Sequence, residues 1–170
     1  MLPEEKGTLR VYKKAIKAWN KTGIVHLKYD PDDNMPDIEC DAECFSAVHK
    51  INPKYVSIRD LGVTHPTTRD GDPGYNGSNL VEYASVTIDP TGIKKYAKCS
   101  HMNYKKLELS VAEHEIGHAL GLDHVRQHDH SVMRPVADKS ILITKEDTKH
   151  LRKLYSDPVK IDVPDVYTHR

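Results

Sequence analysis

His114-Glu115-Ile116-Gly117-His118-Ala119-Leu120-Gly121-Leu122-Asp123-His124 lies in the second half of this 170-residue chain. Residues four apart on a helix project from one face. His114 and His118 can therefore bring two imidazole nitrogens to one metal ion, at about 2 Å each for zinc. Glu115 sits a quarter turn round. Its carboxylate can reach a water at the metal without ligating the ion. Gly121 accepts a positive φ, so the chain can leave the helix and reverse there. His124 then approaches from another direction as a third ligand. Three protein ligands leave a position open for water, which separates a catalytic zinc from a structural one. An HExxH pair alone also occurs on ordinary amphipathic helices. Here the third histidine and the turning glycine accompany it, and three histidines buried without a metal would leave ring nitrogens in need of partners.

These positions predict one catalytic Zn²⁺ and hydrolysis by a metal-activated water. Glu115 is the expected general base, taking a proton from the water and passing it to the leaving amine. No covalent intermediate is required. The expected partner is an extended peptide or protein substrate. The alternative is a catalytically weak, zinc-bearing module that binds peptides without cutting them. Such a module would be expected to lose Glu115, which is present.

Outward from this stretch, the patterning alternates between helix and strand. Thr8 to Asn20 reads as an amphipathic helix with Tyr12, Ile16 and Trp19 on one face, Thr8 as its cap and Gly23 after its end. Ile24 to Tyr29 alternates as a strand, and Tyr55 to Val63 is a second candidate. Asp70 to Asn79 is turn-rich. Leu80 to Ile88 reads as a third strand, stopped by Asp89 and Pro90. A helix follows from about Asn103 to Leu120. Thr144 opens a last helix, with Asp147 completing a capping box and Leu151, Leu154 and Tyr155 on its apolar side. Strands before the metal-bearing helix, with helices at both ends, fit the α+β class. The expected layout is one catalytic domain over residues 1–155 and an extended tail over 156–170.

Composition narrows the partners. Lys plus Arg total 25 and Asp plus Glu total 25. A balanced charge favours neither nucleic acid nor a membrane surface. No apolar run approaches the ~20 residues of a membrane helix. The opening MLPEEKGTLR shows no export signal. Cys40, Cys44 and Cys99 allow one disulfide plus a free thiol, or three free thiols. Buried thiols are the expected state, against a thiol zinc site.

HExxHxxGxxH followed by a methionine turn is the metzincin signature. Ser131-Val132-Met133-Arg134-Pro135 resembles that turn, with Met133 nine residues past His124. Within metzincins the chain is most similar to the matrixin catalytic domain. The wording HEIGHALGLDH, the early helix with Trp19, and Leu142 to Asp147 running on to Leu154-Tyr155 carry the resemblance.

The resemblance implies a zincin-like twisted, mixed and mainly parallel sheet with one antiparallel edge strand. That sheet would pack on the N-terminal and active-site helices, with a C-terminal helix beyond. It implies an apolar floor beneath the zinc from Met133. It also implies an edge strand that binds substrate backbone by strand addition, placed here at Leu61, Gly62, Val63, Thr64 and His65. The S1′ wall would be Pro135, Val136 and Ala137. A secreted, monomeric enzyme is expected. Several positions depart from the family pattern. Val125 replaces a serine, Arg134 replaces a tyrosine, and Val136-Ala137 stand where Pro-x-Tyr is usual. The family's first strand would have to come from MLPEEKG.

Weaker candidates surround the motif. Asp70 to Gly77 is expected to be a solvated turn, with Ca²⁺ binding as the alternative. His65, His101 and Asp72 are expected to be exposed rather than a second zinc site. His128 and His130 are expected as exposed loop residues. Asp123 is expected to make a local structural hydrogen bond.

Overall fold

A computed structural model describes residues 3–27, 61–67, 83–137 and 141–156 of the chain. The elements are α1 (Pro3–Asn20), β1 (Gly62–Thr67), β2 (Tyr83–Ile88), α2 (Pro90–Cys99), α3 (Tyr104–Ala119) and α4 (Lys145–Ser156).

Helix α1 begins earlier than its apolar face suggests. Proline suits a first helical position, and Glu-Glu-Lys are good helix formers. Residues from Pro3 onward are therefore helical, and Thr8 lies inside the helix rather than capping it. The family's first strand, for which only MLPEEKG was available, is accordingly not formed by residues 3–7. Gly23 does take a positive φ of 71° just past the helix. Beyond it, Ile24–Leu27 is not strand. The Asn20 amide serves as a local partner instead, accepting from Leu27 N at 2.7 Å and donating to Leu27 O at 2.8 Å. Lys28 and Tyr29 lie outside the described residues.

Strands β1 and β2 pair antiparallel, from Gly62 opposite Ile88 to Thr67 opposite Tyr83. Among the described residues this is a two-stranded sheet. The expected strand over 55–63 is described only from Leu61, and its last residues enter β1.

Asp89 and Pro90 do stop β2, but they also start α2, which the sequence reading passed over. The Asp89 carboxylate accepts from Thr91 N at 3.0 Å, and Pro90 opens the helix. A proline read as a breaker is here a helix opener. Ile93 and Ala97, four apart, are the buried face of α2.

Helix α3 is the centre of the molecule, in contact with α1, α2, β1 and β2. One core cluster packs Ile16 and Trp19 of α1, Ala112 and Ile116 of α3, Met133, and Leu151 of α4. A second joins Ile88, Ile93, Ala97, Leu107 and Val111. The helical periodicity of α1 thus predicted which side turns inward, whereas on α4 Leu151 alone of the expected apolar side is buried and Leu154 and Tyr155 are exposed. Trp19 buries its indole fully and donates Nε1–H to Glu113 O at 2.9 Å. The bond ties α1 to α3 one residue before His114.

Candidate metal centre and cleft

The C-terminal turn of α3 sets the geometry. Gly121 has φ 86°. Leu122 N donates to Gly117 O at 3.0 Å and Gly121 N to His118 O at 2.9 Å. This is a Schellman ending, and it reverses the chain so that His124 returns over the helix.

Two further bonds orient the rings. His114 Nδ1 lies 2.8 Å from Val132 O, and His118 Nδ1 lies 2.8 Å from Leu122 O. A carbonyl only accepts, so the proton sits on Nδ1 and Nε2 presents a lone pair. The Nε2 atoms of His114, His118 and His124 then form a triangle with sides of 3.1, 3.2 and 3.2 Å. Lone pairs at that spacing repel unless a cation lies between them. Nitrogens bound tetrahedrally at zinc distances lie about 3.3 Å apart. The donor set fits a divalent metal, and these three residues can hold one.

Electrostatics favour the metal-ready state. Burial and the neighbouring His118 push the His114 pKa down to about 4. Burial also lowers the pKa of His118 and of His124. Each shift favours the neutral ring, the form that metal ligation requires.

Glu115 is buried beside them. Thr64 Oγ1 donates to Glu115 Oε2 at 2.7 Å, and lies 2.9 Å from Glu115 O. Tyr12 packs nearby, its phenol pKa raised by burial and by the Glu115 charge. Glu113, on the other side of the helix, has a carboxyl pushed up to about 7, mainly by burial.

A cavity of about 600 Å³ joins these groups. The three histidines and Glu115 face it, as do Leu61, Gly62, Val63 and Thr64. Pro135, Val136 and Ala137 form another part of its lining. His65 of the expected edge-strand set is exposed and does not line it. Met133 is buried against α3, and a β-carbon on Gly117 would run into its sulfur.

The loop carrying Met133 is held by a residue whose wider role the sequence reading missed. Asp147 is fully buried. It accepts from Thr144 N at 2.8 Å, as the capping box requires, but also from Val132 N at 3.1 Å and from the Ser131 hydroxyl. Val132 in turn holds His114 through its carbonyl. Nothing in the Thr144-x-x-Asp147 spacing signals that second task. Tyr96 and Arg134 carried no expected role, although both line the cavity, and Gly62 and Thr64 were expected as edge strand rather than as neighbours of the Glu115 carboxylate.

Other expectations resolve differently. Asp123 is exposed, and no hydrogen bond of its side chain joins the methionine turn among the described residues. Val125 N bonds Met133 O at 3.0 Å instead. The Asp123 charge acts on His118 and His124 by raising their pKa values against the effect of burial. Cys99 is an exposed free thiol, not a buried one, because it falls at the solvent-facing end of α2. Cys40, Cys44 and the loop Asp70 to Gly77 lie outside the described residues. His65 and His101 are exposed, as are His128 and His130. Among the described residues, His114, His118 and His124 are the one cluster able to hold a metal.

Fold and site together define a protein with a helix-borne three-histidine centre in an open cleft. The family profile described as matrixin matches residues 4–156, and the chain belongs to the matrixin family. No curated protein and no solved structure matches the chain significantly. Family membership points to a zinc metallopeptidase acting on peptide or protein. No helix among the described residues is long and apolar enough to cross a membrane.

Proposed function

We propose that this chain is a zinc endopeptidase that hydrolyses peptide bonds within extended peptide or protein segments. The observation that carries the reading is the triangle of Nε2 atoms with the Glu115 carboxylate in the same cavity. His114, His118 and His124 would hold the ion. Zinc bound there supplies an acidic water and polarises the scissile carbonyl. Glu115 takes the proton of the attacking water on its carboxylate and delivers it to the leaving nitrogen. Met133 packs beneath the centre and keeps the helix and turn in register.

Strand β1 would receive substrate backbone along its edge, as an added strand. Leu61 to Thr64 face the cavity, so a substrate lying along them passes the metal centre. Pro135, Val136 and Ala137 would wall the pocket for the side chain after the cleaved bond. The remainder of the family sheet, mixed and mainly parallel, would complete a single catalytic unit over residues 1–155 with 156–170 as a tail. A secreted monomer suits a peptidase of this family.

The test is cleavage of a mixed peptide library by the zinc-loaded chain, its chelated form and Glu115→Ala. The parent should cleave, and the chelated form should not. Glu115→Ala should keep its zinc while turnover falls about 10²- to 10⁴-fold. Parental turnover in Glu115→Ala would overturn the mechanism. A chain that binds the library without cutting it would be the binding module instead.

A further inference from the structure

We propose that Gly62 and Thr64 form a cradle that positions the Glu115 carboxylate, so that β1 orients the proton-transferring group as well as facing the substrate. The inference rests on the peptidase reading above.

Residues two apart on a strand share a face. Gly62 and Thr64 both meet Glu115, which is brought to them by α3. Thr64 and Glu115 are 3% and 5% exposed, so water does not compete freely for either group. Thr64 Oγ1 reaches Glu115 Oε2 at 2.7 Å and Glu115 O at 2.9 Å. A hydroxyl has one hydrogen. The carboxylate is the nearer acceptor and carries the charge, which makes it the stronger one.

Gly62 bounds the other oxygen. A β-carbon there would stand 2.7 Å from Glu115 Oε1 and 2.8 Å from its Cγ. The carboxylate therefore occupies the volume that any other residue at 62 would fill. A glutamate side chain has three rotors, and a base must hold one orientation to move a proton efficiently. The hydroxyl on one oxygen and the bare glycine backbone against the other select that orientation. The competing account makes Thr64 a staple, joining β1 to α3 through the main-chain oxygen of Glu115 alone.

The test uses the zinc-loaded full chain and a peptide that the parent cleaves. Kinetics, bound zinc and thermal midpoint are measured for Thr64→Val, Thr64→Ser and Gly62→Ala. Valine keeps the branched shape without the hydroxyl, and serine keeps the hydroxyl. Thr64→Val should lower kcat about tenfold or more with KM within about twofold, and Thr64→Ser should recover to within about threefold of the parent. Gly62→Ala should lower kcat by a similar factor, because the group that must yield is the movable carboxylate. All three should keep one zinc per chain. Parental kcat in Thr64→Val, or serine as impaired as valine, would overturn the cradle and leave the staple. Parental kcat in Gly62→Ala would overturn it equally. A zinc-loaded parent that cleaves nothing would overturn the peptidase reading and the cradle with it, whereas a cleaving parent with unimpaired variants overturns the cradle alone.

Discussion

Helix α3 and its turn bring three imidazoles together from positions 114, 118 and 124, whereas β1 reaches Glu115 from 51 residues away in the chain. The first wall of the cleft is local. Helical periodicity stacks two rings, and one glycine with a positive φ returns the third. The second wall depends on strand pairing and on packing of the sheet against α3. The difference teaches that an identical cleft can have one wall written in spacing and another written only in tertiary contact.

The largest expected effect tests the local wall. His118→Ala removes one corner of the nitrogen triangle and the bond to Leu122 O. Bound zinc, measured by elemental analysis after desalting, should fall from about one per chain to near none, with activity down by about 10³ or more. Retention of stoichiometric zinc would show that the centre does not depend on the α3 turn.

This asymmetry explains what could be read in the sequence. The extent of α3, the positive φ at Gly121 and the Thr144–Asp147 capping box were all legible, because each depends on residues within a few positions of one another. The convergence of His114, His118 and His124 was legible for the same reason. The cradle around Glu115 was not. No spacing rule connects Thr64 with Glu115, and their contact exists only once β1 lies on α3. Helix α2 was missed because Asp89-Pro90 serves both as a strand stop and as a helix start. Ile24–Leu27 was misread because its alternation is satisfied by the Asn20 side chain rather than by a neighbouring strand.

A smaller effect probes whether the local wall stands alone. Asp147 on α4 holds Val132 N, and Val132 O holds His114. Asp147→Ala leaves the Val132 and Thr144 amides without their acceptor in a buried setting. It should destabilise the chain by about 3 kcal/mol, from a lost cap and charge-assisted bonds. Urea denaturation measures this directly. Zinc affinity should weaken as well, since the His114 ring loses its fixed carbonyl. A variant with unchanged stability and affinity would mean that the local wall needs no support from α4.

The smallest effect concerns pH, and the sites on α3 and its following turn that produce it act in opposite directions. In the metal-free protein, burial holds His114 at about 4 and lowers the pKa of His118 and His124. The unfolded chain, with histidines near ~6.5, then binds more protons between those values. Stability from the histidines is therefore fully present above ~6.5 and is lost as pH falls towards 4. Glu113 runs the other way. Its folded value of about 7 lies above the usual 4.5, so the folded state binds the extra proton. Its contribution is present below 4.5 and is lost as pH rises through 7. The two slopes oppose one another across the interval from 4.5 to 6.5. Glu113→Gln should remove the falling contribution and steepen the rise of stability with pH in chelated protein, read as the urea midpoint at several pH values. An unchanged slope would mean that Glu113 keeps an ordinary pKa. In that case the Ile143 N–H, 2.9 Å from its Oε2, would be offsetting the burial.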